Sequence, residues 1–120
     1  MNTRSRDTEA IVRRHLQAFL DQRGLDAIVS DYADEACFLS ESNTYRGKQA
    51  IRGFFGAFIA ALPPKAIANF TLRSLRVEED VAYIVWSAGG ELPLGTDTFI
   101  VRNGKIVTQT FAMHGQLSTR

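Results

Sequence analysis

The sequence predicts an α+β domain in which helices come first and an antiparallel sheet follows. Three observations carry this. Up to Leu62 the apolar residues recur at spacings of three and four, the period of a helix with one buried face. From Ile67 onward the spacing shortens to two, the period of a half-buried strand. Asn103-Gly104 then divides two alternating runs, and both residues tolerate the positive φ of a two-residue hairpin turn.

The first helix is expected from about Ser5 to Gln22, with Ile11, Val12, His15, Leu16, Phe19 and Leu20 on one stripe. Arg13, Arg14, Gln17 and Asp21 face away, and Gly24 closes it with a left-handed residue. A short second helix carries Leu25, Ile28, Val29 and Tyr32 on one side. Ala36 to Ser40 reads as a strand, and Glu41 to Arg46 as a polar turn. The third helix, Gly47 to Leu62, shows a broad face of Ile51, Phe54, Phe55, Phe58, Ile59 and Leu62. Pro63-Pro64 ends it, because proline cannot continue the hydrogen-bond ladder.

Four strands follow. Ile67 to Glu78 alternates but slips phase near Ser74, which predicts a bulge. Glu79-Asp80 turns the chain into Val81–Ala88, with Ala82, Ile84 and Trp86 on one face. Leu92 to Arg102 and Lys105 to His114 form the hairpin, and the last residues are expected to fray. The expected order is three helices with one strand among them, then four antiparallel strands. Residues 1–120 form one domain, without repeats or linkers.

Composition narrows the function. Hydrophobic residues are 45% and charged residues 22%, an ordinary globular balance. The net charge of +1 and scattered basic residues give no electrostatic footprint for nucleic acid. The single cysteine, Cys37, forbids an internal disulfide, and its apolar setting suggests a packed thiol. The start of the chain has no apolar signal-peptide core, and no apolar run approaches about 18 residues. A cytoplasmic protein without membrane contact is the expectation. No metal-ligand spacing and no phosphate-cradling glycine loop occurs, so no cofactor is expected.

Asp97 is the residue that most suggests chemistry. On its strand it shares a face with Phe99 and Val101. A carboxylate there is costly unless it is paired, hydrogen-bonded or protonated. His15 sits on the apolar stripe of the first helix, one turn after Ile11, and a His15–Asp97 pair is expected. Gln109 shares a face with Val107 and Phe111, as an inward polar contact. Helices packed on a curved sheet enclose an apolar space, and Tyr32, Phe54, Phe58, Trp86, Phe111 and Met113 are candidates for its walls. His114 is expected to be exposed.

Several strings resemble the nuclear-transport-factor-2-like superfamily, in particular its SnoaL-like and ketosteroid-isomerase-like members. They are Gly24-Leu25-Asp26-Ala27-Ile28-Val29, Tyr32-Ala33-Asp34-Glu35-Ala36, the run Tyr45 to Phe55, and Asp97-Thr98-Phe99 through Gly104-Lys105-Ile106-Val107. The resemblance implies a cone-shaped curved sheet with three helices on its concave face, the cystatin-like or SnoaL-like fold. It also implies a pocket between sheet and helices, and a homodimer through the sheet's outer face. Asp97 falls where the isomerase has its oxyanion-hole aspartic acid, and His15 where it has its oxyanion-hole tyrosine. Ser40 falls where it has its general-base aspartate, so isomerisation by that mechanism lacks its base. Limonene-epoxide-hydrolase-like members carry an arginine where this chain has Gly95, and a second acid near Gln109.

Together these readings describe a small-molecule-binding protein. Its ligand is a compact hydrophobic carbonyl or hydroxyl compound, polarised by Asp97 and His15 as catalytic residues. Tyr32, Ser40, Phe54, Phe58, Trp86, Gln109 and Phe111 are the expected ligand-binding set. Isomerisation, dehydration or cyclisation through an enol would suit such a site. The alternatives are a non-catalytic ligand-binding or dimerisation module, and a protein-interaction adaptor.

Overall fold

The computed structural model describes residues 2–115 and residue 117. Helix α1, Thr3–Leu20, begins where the Asn2 side chain accepts the Ser5 N–H at 2.9 Å. That bond satisfies one of the donors every helix leaves open at its start. Its inward stripe is Ile11, Val12, His15 and Ala18, all buried. The helix ends before the expected Gln22, which itself turns at φ 53°; Gly24, at φ 101°, instead leads into α2, Leu25–Val29.

The sheet has six strands: β1 (Tyr32–Leu39), β2 (Thr44–Arg46), β3 (Phe70–Glu78), β4 (Val81–Ala88), β5 (Leu94–Arg102) and β6 (Lys105–His114). Helix α3, Lys48–Ala61, lies between β2 and β3 in sequence. The strand order is β2-β1-β6-β5-β4-β3, and the sheet is curved and unclosed. All neighbours are antiparallel except β1 and β6, which are parallel.

Two expectations need correction. Tyr32 belongs to β1, not to the second helix. The Ile106 N–H bonds the Asp31 carbonyl at 2.8 Å, which draws the chain out of helix and into the sheet. The polar segment before Arg46 holds a short strand, β2, paired with β1 from Cys37–Arg46 to Leu39–Thr44. Its polar composition hid it, because an edge strand need not alternate. The bulge expected near Ser74 is present, between Leu72 and Ser74 against β4. The Asn103-Gly104 turn has φ 52° and 76°. The fraying expected at the chain's end falls largely outside the described residues.

Register sets the site. On the inward face Phe38, Gln109 and Phe99 form one cross-strand row. Phe111, Asp97 and Ile84 form the next. Met113, Gly95 and Trp86 form a third. Helices α1 and α3 cover these rows with Ile11, Val12, His15, Ile51 and Phe55, and the space between the layers is the core.

Candidate functional site

The helices do not fill the curve of the sheet. A cavity of about 60 Å³ remains, open at one side. A buried water needs about 10–15 Å³, so the free space suits a few waters or one compact molecule. Phe54 and Phe58 of α3, Phe111 of β6 and Trp86 of β4 line it. Phe54 stacks on Phe58 at 5.5 Å, and Phe111 meets Phe58 edge-on at 5.5 Å. The Trp86 ring lies nearly parallel to those of Phe70 and Phe111, at 5.7 and 6.5 Å.

The polar groups gather at one place on this apolar wall. Asp97 is 7% exposed, and each of its oxygens accepts a hydrogen bond. Trp86 Nε1–H donates to Oδ1 at 2.8 Å, and Gln109 Nε2–H donates to Oδ2 at 2.8 Å. Tyr32 Oη donates to Gln109 Oε1 and also faces His15 Nε2 at 3.4 Å. His15 Nδ1 lies 3.2 Å from the Ile28 carbonyl. A carbonyl only accepts, so Nδ1 carries the imidazole proton and Nε2 is bare. A continuous chain therefore runs from Ile28 through His15, Tyr32, Gln109 and Asp97 to Trp86.

Burial governs the charges. Desolvation pushes the Asp97 carboxyl up to about 6, against the opposing pull of its two donors, Trp86 and Gln109. Desolvation also lowers His15 to about 4, outweighing its backbone bond to Ile28 and the field of Asp31, so the imidazole is neutral. The Tyr32 hydroxyl is raised by burial and by the nearby Asp97 and Asp31 charges, and keeps its proton. Asp31 is itself held by Arg14, whose Nε and Nη2 donate to Oδ1 at 2.8 and 2.5 Å.

The expected His15–Asp97 pair is not made directly. Tyr32 and Gln109 stand between the two, and a neutral imidazole has no charge to offer a carboxylate. Ser40 does not join the lining of the cavity; its hydroxyl accepts the Asn43 N–H at 3.1 Å in the turn after β1. Met113, on the row beyond Asp97, packs against the core outside that lining. Tyr32 lies behind the wall, where its hydroxyl serves Gln109 and His15. Phe19, Phe38, Phe55 and Phe70 also line the cavity, although nothing in the sequence marks them as lining. Their positions on predicted apolar faces were the available signal, shared with plain core residues.

Gly95 shows why Trp86 can reach Asp97. A Cβ on Gly95 would sit 2.1 Å from the Trp86 ring, so the indole lies flat on a residue without a side chain. The indole fills the space that a side chain at position 95 would take. Among the described residues, no three His, Cys, Asp or Glu side chains gather to hold a metal.

The family profile described as SnoaL-like domain matches residues 12–109. Among the curated proteins none matches the sequence. Solved structures agree in fold. An NTF-2-like protein of unknown function from Burkholderia xenovorans LB400 superposes with a TM-score of 0.77 at 19% identity, over 99% of this chain and 91% of that one. A candidate SnoaL-like polyketide cyclase from Jannaschia sp. CCS1 gives 0.78 at 12%, over 94% and 89%. A candidate ketosteroid isomerase from Kribbella flavida DSM 17836 gives 0.71 at 16%, over 97% and 84%. At these identities the likeness speaks for the fold alone.

Proposed function

The chain belongs to the SnoaL-like family, and we propose that it binds a compact hydrophobic molecule bearing a hydroxyl group, with Asp97 as the group that reads it. The observation that carries this is a buried carboxylate on the wall of an aromatic cavity, with both oxygens turned toward protein donors. At neutral pH this carboxylate is mostly ionised, so toward a ligand it can only accept. His15 Nε2 is also an acceptor. A hydroxyl donor suits this floor better than the carbonyl expected from the isomerase likeness.

As an enzyme, the protein would use Asp97 as a base. The carboxylate takes a proton from the bound molecule and returns it to another atom of the same molecule, so an isomerisation balances without an outside acid. A dehydration or cyclisation through an enol would use the same proton. The cavity residues Phe54, Phe58, Phe111 and Trp86 would hold the apolar body, with Gln109 fixing the carboxylate and Tyr32 fixing Gln109.

The test is a thermal-shift series of phenols, small alcohols and ketones on wild type and Asp97→Asn. A ligand at ~100 times its dissociation constant adds about 2.7 kcal/mol of stability. A hydroxyl compound should raise the melting temperature of wild type and not of Asp97→Asn. No shift with any compound would leave the second reading, a dimerisation module. That reading is supported by the outer face of the sheet, where Val81, Tyr83, Leu39 and Leu94 are 37–47% exposed. A second copy of the chain on that face is the proposed partner, checked by sedimentation equilibrium. A cytoplasmic setting suits the single free thiol, Cys37.

A further inference from the structure

The hydrogen-bond chain contains a proton-count problem. Tyr32 Oη stands between two acceptors, Gln109 Oε1 and His15 Nε2, and has one proton to give. With Asp97 ionised, Gln109 must turn its N–H toward Oδ2, so its carbonyl oxygen faces Tyr32 and takes the hydroxyl proton. His15 Nε2 is then left without a donor. Its distance to Tyr32 Oη, 3.4 Å, is the longest in the chain.

A proton on Asp97 changes the count. The Trp86 ring is packed on Gly95 and beside Phe70 and Phe111, and its indole N–H can only donate, so Oδ1 must stay an acceptor. The proton therefore goes to Oδ2, which faces Gln109. The two ends of a side-chain amide have nearly the same shape, so a half-turn exchanges donor and acceptor in place. After that turn Oδ2–H donates to Gln109 Oε1, and Gln109 Nε2–H donates to Tyr32 Oη. The hydroxyl proton swings to His15 Nε2 without leaving its oxygen, and every group has a partner. One proton is taken up, at Oδ2, and none crosses from one residue to another.

From this we infer that Gln109 is the specificity-determining residue of the cavity: its amide turns to serve whichever form of Asp97 is present, so the carboxyl keeps its proton from a ligand carbonyl and the site selects hydroxyl compounds. The inference rests on the ligand reading proposed above and deepens it. Ionised, Asp97 accepts. Protonated, it donates to Gln109 before any ligand arrives, and a ketone must displace that bond to gain one of equal kind. Among the described residues, the ionisable groups facing Asp97 are few. They are His15 from α1 and Tyr32 from β1, with Asp31, paired to Arg14, acting on both of these. The α3 residues that line the cavity are apolar.

Two measurements test it, one without ligand. In the first, the ¹⁵N signal of His15 Nε2 is followed from pH 7.5 to 5 in wild type, Asp97→Asn and Tyr32→Phe. In wild type the signal should move toward that of a hydrogen-bonded acceptor as Asp97 takes its proton. In Asp97→Asn the new amide must turn its oxygen to Trp86 and its N–H₂ to Gln109, so this variant should hold His15 in the acid-form position at every pH. Tyr32→Phe should uncouple His15 from Asp97. A His15 signal that ignores Asp97 in wild type, or still follows it in Tyr32→Phe, overturns the reversal.

The second uses cyclohexanol and cyclohexanone, of similar size, with the fluorescence of the single tryptophan, Trp86, as readout. Wild type should bind the alcohol more tightly at pH 7 and at pH 5. Gln109→Met keeps the bulk and removes both bonds; at pH 5 it should prefer the ketone. An alcohol preference that survives in Gln109→Met, or a wild type that turns to the ketone at pH 5, overturns the discrimination. If neither compound binds, the ligand reading fails and the discrimination with it, while the reversal stands or falls by the ligand-free titration.

Discussion

Strands β4, β5 and β6 carry two different kinds of surface on one backbone. Facing inward are Ile84, Trp86, Asp97, Phe99, Gln109 and Phe111; facing outward are Tyr83, Val85, Thr96, Thr98, Thr108 and Thr110. Each inward polar atom depends on one particular neighbour, because no bulk water is there to replace it. An outward threonine hydroxyl that loses a partner turns to solvent. The alternation of a strand thus puts coupled positions and independent positions next to each other in sequence.

The contrast breaks first at Phe99. It is fully buried, and Phe99→Ala should cost about 3–5 kcal/mol in chemical denaturation, against less than about 0.5 kcal/mol for the neighbouring Thr98→Ala. Equal costs would mean that the two faces do not differ in packing.

Next comes pH. Asp97 rises from 3.8 to about 6 on folding, so the native state holds its proton where the unfolded chain does not. Its contribution is fully present below pH 3.8 and is lost as pH rises through 6, a change of about 3 kcal/mol. His15 falls from 6.5 to about 4, and its contribution has the opposite sign: present above pH 6.5, lost as pH falls through 4. The two nearly cancel, so wild-type stability should be almost flat over that window. Asp97→Asn should expose the His15 slope, with stability falling toward acid, and His15→Gln the reverse. Urea denaturation at half-unit pH steps checks this; parallel curves for the two variants would mean that burial does not shift the two groups in opposite directions.

A smaller effect is expected at Gly95. Gly95→Ala pushes a methyl group into the Trp86 ring and should cost about 1–3 kcal/mol. It should also change Trp86 emission, since the indole must leave Asp97. The smallest stability change belongs outside: Tyr83→Lys, at a residue 42% exposed, should stay within about 0.5 kcal/mol while abolishing in sedimentation the self-association proposed for that face.

The sequence was most readable where a residue's period decides its place. Val81–Ala88 and Lys105–His114 appear at their expected bounds, and the slip at Ser74 marked its bulge. It was least readable where a distant partner decides. Tyr32 reads as helical until the Asp31 carbonyl meets Ile106, and Thr44–Arg46 becomes a strand only because β1 lies beside it. The site shows the same division. Asp97, His15 and Gln109 were visible as polar residues on apolar faces. Their connection was not, because Tyr32 meets Gln109 across the β1–β6 pairing, and no local pattern encodes which amide end faces which oxygen. Ser40 was carried in by likeness alone, and its hydroxyl serves a turn.

The parallel pairing of β1 with β6 also sets an order of events at the ribosome. Phe38 lies beside Gln109, 71 positions later (109 − 38). At roughly 5–20 residues per second, β1 waits about 4–14 s for its neighbour to be made. During that wait the phenylalanines of α3 have no completed wall to cover them. The polar end of the cavity needs Tyr32 and Gln109 together, so it cannot form before β6 is made. A nascent chain halted before β6 therefore presents a sticky aromatic helix and a carboxylate strand with no amide to hold it, a form suited to capture by a chaperone.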